Sequence, residues 1–451
     1  MIGIVVSRAD SASEHIGEQL LEAGDFEQTG AGVYRADGFE LREFDDLHID
    51  LDDPATAFDD PDYVVVVSRH AGDTGALLTA HHTGNFGDAE YGGEDRALAA
   101  ACPNAHREVV DALREHAPDG YEVGMECTHH GPTETSVPSM FVELGSDESQ
   151  WDDPEGARAV AEAVLDLRGV DARSERALVA FGGGHYAPRP TRIVRETDWG
   201  VGHVAADWCL NDLGDPEAHR DVVERMFEAS GAEHAVVDGD KPAVERVVSE
   251  LGYRVVSETW VRETDGVPLD LVDSAEDHVA TVDDGLRFGE PATGYEGSYA
   301  VVDLPAELLD AVHATDPEAA VEAASETALA YATDENGNRL AGPAAFADDD
   351  AYDAFLARVA DILERDYDVT REDATLTATR ESFDPAAASE LGVPEGPKFG
   401  KLAGGEPVDI DGAEIRPADV TTTETTSVSV GFRERTRERV RRPSDAEGKG
   451  N

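Results

Sequence analysis

Tyr63–His70 reads Y-V-V-V-V-S-R-H. Four consecutive valines behind an aromatic residue, introduced by Pro61, specify a buried strand, because β-branched side chains suit a pleated surface. The run empties directly into Ser68, Arg69 and His70. Open α/β sheets bind ligands at the carboxyl ends of their strands, so this polar set marks a candidate site. Upstream, Ile2–Val6 is a second apolar run. Asp10-Ser11 then offers an N-cap, Ile16, Leu20 and Leu21 recur at helical spacing, and Gly24 closes the helix.

Downstream the same alternation continues. Strands are expected at Tyr121–Cys127, Met140–Leu144, Ala177–Phe181, Ala235–Asp238 and Tyr253–Val256. Helices are expected at Arg107–His116, from Asp153-Pro154 to Leu167, at Glu217–Ala229 and at Lys241–Leu251. This order predicts an α/β fold: a layered, mostly parallel or mixed sheet with helices on both faces. From Val267 the texture becomes richer in Ala, Asp and Glu, with helical stretches near 318–330 and 352–367. We therefore expect a catalytic α/β domain at 1–266 and an inserted acidic α+β domain at 267–388. A Gly/Pro-rich segment at 389–432 is expected to pack on the catalytic domain, and 433–451 to be an Arg-rich, partly disordered tail. The arginine run itself reads as a helix end paired with Glu434 and Glu438.

Lys plus Arg total 36 against 97 Asp plus Glu, a net charge of −61 spread along all 451 residues. Lysine is confined to Lys241, Lys398, Lys401 and Lys449. Such an acidic, Lys-poor surface suits molar salt, where repulsion is screened within about 3 Å. The source is expected to be an extreme halophile, and the charge then says little about partners. Three cysteines without C-x-x-C spacing give neither a disulfide framework nor a Cys-type zinc site. No long apolar run suggests a membrane partner, and none suggests an obligate protein partner. A cytoplasmic monomer is the expectation.

Chemistry concentrates in Gly124–Trp151, G-M-E-C-T-H-H-G-P-T-E-T-S-V-P-S-M-F-V-E-L-G-S-D-E-S-Q-W. Its imidazoles and carboxylates can ligate a metal and move protons. If extension persists, Glu126, Thr128 and His130 share one face and His129 takes the other. The adjacent histidines would then not hold one ion together unless the Gly131-Pro132 turn has already begun. Nine of fifteen histidines lie between His70 and His203. H-E-x-x-H, G-x-S-x-G and P-loop spacings are absent, and G-G-G-H-Y lacks dinucleotide-binding spacing. His129 or His130, with His81, His185 and Glu126, are the candidate metal ligands near the sheet's carboxyl edge. Glu143 or His203 would handle the proton, with Thr128 beside them. Arg69, His70, Asn85, Gly183, Gly184, Tyr186, Arg189, Lys241, Lys398 and Lys401 are the candidate substrate contacts.

Ordered pieces of the chain resemble the archaeal and plant-type D-aminoacyl-tRNA deacylases. These are S-R-H at Ser68–His70, L-T-A-H followed by G-N at Leu78–Asn85, and C-T-H-H-G-P at Cys127–Pro132. P-S-M-F-V-E-L-G-S at Pro138–Ser146 and F-G-G-G-H-Y-A-P-R at Phe181–Arg189 complete the match. The resemblance covers residues 1–265 and the loop at 391–402. It implies hydrolysis of the ester between a D-amino acid and the tRNA 3′ end, with aminoacyl-tRNA as partner and two zinc ions per chain. It also implies a fold akin to peptidyl-tRNA hydrolases and nucleoside phosphorylases. It assigns no individual zinc ligand. The alternatives are a peptidyl-tRNA hydrolase-like esterase and a non-catalytic binder of the tRNA 3′ end.

Overall fold

The computed structural model describes residues 1–432 and 434–439. It separates into Met1–Asp265 and a second unit from Gly266 onward. In the first unit the strands are β1 (Ile2–Ser7), β2 (Glu27–Gly30), β3 (Val33–Ala36), β4 (Phe39–Phe44), β5 (Tyr63–Ala71), β6 (Leu77–His81), β7 (Glu122–Met125) and β8 (Ser139–Ser146), followed by β9 (Ala177–Phe181), β10 (Gly200–Ala205), β11 (His234–Val237) and β12 (Arg254–Val255). They form two sheets where the sequence reading expects one. An eight-stranded sheet has the order β2-β3-β4-β1-β5-β8-β6-β7, and a four-stranded sheet has the order β10-β9-β11-β12. The second sheet is parallel throughout. The first is mixed: β1, β4, β5 and β8 run parallel, whereas β6 is antiparallel to β8 and carries β7 with it.

Helix α1 (Ser11–Ala23) begins where Asp10 accepts from the Ala12 and Ser13 amides and ends as the Gly24 amide caps Leu20. It lies against Val6, which the missing Gly17 side chain lets come close. Three more helices follow: α2 (Pro103–His116), α3 (Glu148–Trp151) and α4 (Pro154–Leu165), the last started by Asp153 and Pro154. The opposite face of the large sheet buries Val5, Val64, Val66 and Phe141 against Ala55 and Phe58, residues of a loop with two short 3-10 turns. That face is therefore covered by loop and turn rather than by a regular helix.

Register places the chemistry. Ser68 pairs with Glu143, Glu143 with Thr79 and Thr79 with Gly124, one row across four strands. Because β6 and β7 oppose β5 and β8, polar residues from opposite strand ends meet over the sheet's face. The candidate ligands themselves leave from carboxyl ends, as expected: His81 closes β6, and Glu126, His129 and His130 follow β7.

The second unit is antiparallel α+β. One sheet orders Leu286–Phe288, Ala330–Asp334, Arg339–Phe346, Ser298–Asp303 and Glu434–Arg439. Its core includes Leu308, Val312, Phe346, Phe355 and Leu356, from Arg339–Phe346 and the helices Ala306–Thr315 and Asp349–Leu363. Residues 267–388 begin this unit and the described residues after them stay in it, so 267–388 do not interrupt the first unit as an insertion would. Thr421–Ser429 pairs with Thr375–Phe383, and residues 389–432 belong to the second unit. Glu434–Arg439 is a strand against Ser298–Asp303, not a helix end, because an open edge offers its peptide groups a ladder. The expected disorder from Pro443 lies outside the described residues.

Candidate metal centre and cavity

Extension ends at Met125, and the next five residues leave the strand. Glu126 still hangs on the sheet, its amide donating to the Ala80 carbonyl at 3.1 Å. His130 takes φ 43°. This left-handed turn, uncommon for a side chain other than Gly, swings the second imidazole back beside the first. The ring centroids of His129 and His130 are 4.5 Å apart, and His81 from β6 lies 4.2 and 4.9 Å from them. The expectation that the adjacent histidines face apart fails, because the turn begins before Gly131.

Their tautomers follow from the hydrogen bonds. Nδ1 of His81, His129 and His130 each donates to a backbone carbonyl, of His82 (3.1 Å), Cys127 (2.8 Å) and Gly131 (2.7 Å). The three Nε2 atoms are left for the space between them. This is how ligating histidines are oriented in metal sites. Among the described residues, His81, His129 and His130 can bring three ligand atoms within 4.8 Å of one another, as can Glu126, His129 and His185.

Charge supports a cation there. Glu126 is buried, accepts from the Thr79 hydroxyl at 2.5 Å, and lies 2.7 Å from His185 Nε2. Burial pushes this carboxyl up, but His185, His129, His81 and His70 together outweigh it and hold it well below the usual carboxylate range. Contacts with Cys127 and Glu126 raise His185 to about 10. His81 Nε2 is buried without a hydrogen-bond partner, 3.5 Å from Glu143. Burial pushes His81 down, and Glu143 and Glu126 more than reverse it. Burial keeps His129 and His130 far below their ordinary value, hence neutral. Two buried carboxylates thus call for positive charge beside neutral imidazoles, and a metal ion or a proton can supply it. The donor set of neutral imidazole and carboxylate fits zinc. One constraint is built in: with its Nδ1–H committed, His129 has one lone pair and can serve only one of two ions.

These residues open into a cavity of about 870 Å³. Arg69, His70, Asn85, Glu126, His129, His130, Glu143 and His185 line it. Glu143 receives the Ser68 hydroxyl at 2.8 Å. His70 holds Ser146 at 3.1 Å and lies 3.4 Å from the Tyr186 hydroxyl. Arg69 rests over Trp151, 5.3 Å from the ring. Asn85 does not offer its amide to the cavity: it donates to the carbonyls of Gly92 (2.9 Å) and Glu94 (3.1 Å), fastening the Gly-rich loop. Gly183, at φ 80°, and Gly184 carry the chain to His185.

Other candidates lie elsewhere. His203 and Thr128 are buried and do not line the cavity. His203 Nε2 donates to Ala99, while its Nδ1 accepts from the Thr128 hydroxyl at 3.0 Å. That hydroxyl also accepts from the Val204 amide, so neither group has capacity for catalysis. Arg189 donates to the Val237 carbonyl and pairs with Glu258, and Lys241 pairs with Asp207. Lys398 and Lys401 belong to the second unit, on the Asp409 carbonyl and near Glu406. Rarity of lysine is no signal of function; these cations are held by local carbonyls and carboxylates. The sequence reading missed His48, Tyr91, Arg96 and Trp208, all of which line the cavity. None sits in a motif, and only the folding of distant loops brings them together.

The D-aminoacyl-tRNA deacylase family profile matches residues 57–256. A D-aminoacyl-tRNA deacylase of Halobacterium salinarum is 62% identical over the full length of both chains. One of Halorubrum lacusprofundi is 54% identical over 93% of this chain and 95% of its own. One of Methanoregula boonei is 35% identical over 82% and 86%. Among solved structures, a conserved protein of unknown function superposes with a TM-score of 0.54 at 33% identity, covering 59% of this chain and 98% of that one. No helix among the described residues is long and apolar enough to cross a membrane.

Proposed function

The chain belongs to the D-aminoacyl-tRNA deacylase family, and we propose that it hydrolyses the ester joining a D-amino acid to the tRNA 3′ end, with zinc as cofactor. The observation that carries the chemistry is the convergence of His81, His129, His130, Glu126 and His185 in one cavity. Zinc bound there would polarise an ester carbonyl and acidify a water. His81, His129 and His130 form one ligand set. Glu126 and His185 begin a second, so a chain holding two ions completes it from outside the trio. Glu143, fixed by Ser68 on the cavity wall, is the group placed to accept the proton of the attacking water. His70 and Tyr186 are placed to orient the aminoacyl group, and Arg69 to meet phosphate. An aminoacyl ester is already reactive, so the larger task is exclusion of L-aminoacyl ends by shape. A tRNA substrate suits a cytoplasmic enzyme.

The test is deacylation of matched D- and L-aminoacyl-tRNA in molar potassium chloride, before and after chelation. The D ester is cleaved and the L ester spared; chelation abolishes turnover and zinc restores it. Full activity in a sample shown to be metal-free removes zinc from the reading. Preference for N-blocked L-aminoacyl-tRNA, or tRNA binding without turnover, replaces it with one of the two alternatives.

A further inference from the structure

Four large apolar side chains are exposed among the described residues: Tyr91, Tyr186, Trp208 and Leu391. Single exposed aromatics need no explanation, but three of these four surround one cavity. Tyr91 and Trp208 line it at 66% and 41% exposure. Tyr186, at 39%, stands beside it against His70 and His185. Trp208 lies nearly parallel to the His185 ring, centroids 6.2 Å apart.

Their placement is built. Gly131, directly after the paired histidines, donates its amide to the Tyr91 carbonyl at 3.0 Å. A Cβ at Gly131 would meet Gly93 N at 2.4 Å, and one at Gly92 would meet Ile49 O at 2.0 Å, so the loop can press against the turn only because these positions are glycine. Trp208 is tied to the glycine loop before His185 by the Asp207 amide, which donates to Gly183 at 2.9 Å.

Arginines supply the second observation. Most in this acidic chain are ion-paired, as Arg8, Arg35, Arg176 and Arg192 are. Arg69 and Arg96 both line the cavity, and neither guanidinium has a carboxylate partner among the described residues, although the Arg69 amide donates to Asp10. Arg96 is exposed and holds a left-handed φ of 53°, a strained backbone that persists where the surroundings impose it.

We propose that Tyr91 and Trp208 are stacking platforms for the unpaired bases of the tRNA 3′ end, with Arg96 receiving an adjacent phosphate. The identity of the RNA rests on the deacylase reading; the stacking surface itself does not. In molar salt, release of counterions from phosphate loses its driving force, and Asp88, Glu90 and Asp212 on the same wall work against a basic clamp. Stacking of a base on an aromatic face does not depend on charge, tolerates salt and serves single strands. A few aromatic rings and one or two unpaired guanidinium groups are what such an end requires where a basic surface cannot form.

The full chain is titrated with the trinucleotide C-C-A in molar potassium chloride, reading the part of the emission change that Trp208→Phe abolishes, since Trp151, Trp199 and Trp260 emit as well. Saturable quenching is expected. Trp208→Ala and Tyr91→Ala each weaken trinucleotide binding by competition roughly tenfold, while Trp208→Phe and Tyr91→Phe retain most of it. Arg96→Gln lowers the slope of log affinity against log salt by about 0.7, one single-strand phosphate. Absence of saturable quenching, or Ala variants that bind within twofold of wild type, overturns the proposal. The probe carries no ester. A chain that stacks the trinucleotide but fails to deacylate therefore ends the hydrolase reading alone, and one that deacylates with unaltered Ala variants ends the stacking alone.

Discussion

A second group of histidines, His82, His106 and His203, gives the most quantitative prediction. All three are buried, with centroids 4.6 Å apart for His82–His106 and 5.8 Å for His82–His203. Burial pushes His106 and His203 down to about 4 from the ordinary 6.5, against weaker upward pulls from the carbonyls of Ala80 and Ala99. Burial and the neighbouring His106 hold His82 well below 6.5 as well. The unfolded chain takes up the His106 and His203 protons near pH 6.5, the folded chain not until about pH 4, and His82 shifts in the same direction. Stability is therefore full above the unfolded value, falls as pH drops through the window, and levels once the folded groups also protonate. Midway, His106 and His203 each remove about 1.2 kcal/mol per pH unit, and the whole step from 6.5 to about 4 removes about 3.4 kcal/mol for each, against a typical total of about 5–15 kcal/mol. His106→Leu removes one of the three protons. Packing can change the absolute stability of that variant, but the slope counts protons alone. Urea midpoints in molar potassium chloride, measured from about pH 7 to 4.5, should show a slope shallower than wild type by about 1.2 kcal/mol per pH unit. Identical slopes in the two proteins would refute the claim that this cluster is held neutral.

His129 can serve one ion at a time but is common to both candidate groups, so His129→Ala breaks both, whereas His130→Ala frees His129 to join Glu126 and His185; His129→Ala should therefore lower bound zinc further. Elemental analysis of the purified variants decides this, and equal metal content in the two contradicts the shared-ligand geometry. His203→Gln should lose about 2–4 kcal/mol of stability through unmatched buried partners while folded enzyme keeps kcat within about threefold; a thousandfold loss of kcat would return His203 to the catalytic machinery. Gly92→Ala meets Ile49 O at 2.0 Å and sits at φ 77°, so the loop must move. It should cost about 1–3 kcal/mol and raise KM for charged tRNA, and an unchanged melting curve and KM would show that the loop is not clamped.

The backbone order of the first unit was legible in the sequence because each signal there is local. The valines of Tyr63–Val67, the Asp10 cap with Gly24, and Asp153-Pro154 fix elements that form where expected. The candidate ligands were legible as residue types, since Glu126, His129 and His130 stand within five positions of one another. Three things were not. The strand periodicity that separates His129 from His130 holds only while the chain is extended, and the turn at His130 ends it. The reversal of β6 against β8, which sets the carboxyl ends of β6 and β7 beside Ser68 and Glu143 in mid-strand, is set by long-range pairing that no local pattern encodes. And His203, beside Gly202 as His185 is beside Gly184, differs from the candidate ligands in what its two nitrogens meet. Sequence determined which residues could bind metal and where strands begin. Tertiary structure decided which of them converge, because convergence depends on partners tens of residues away.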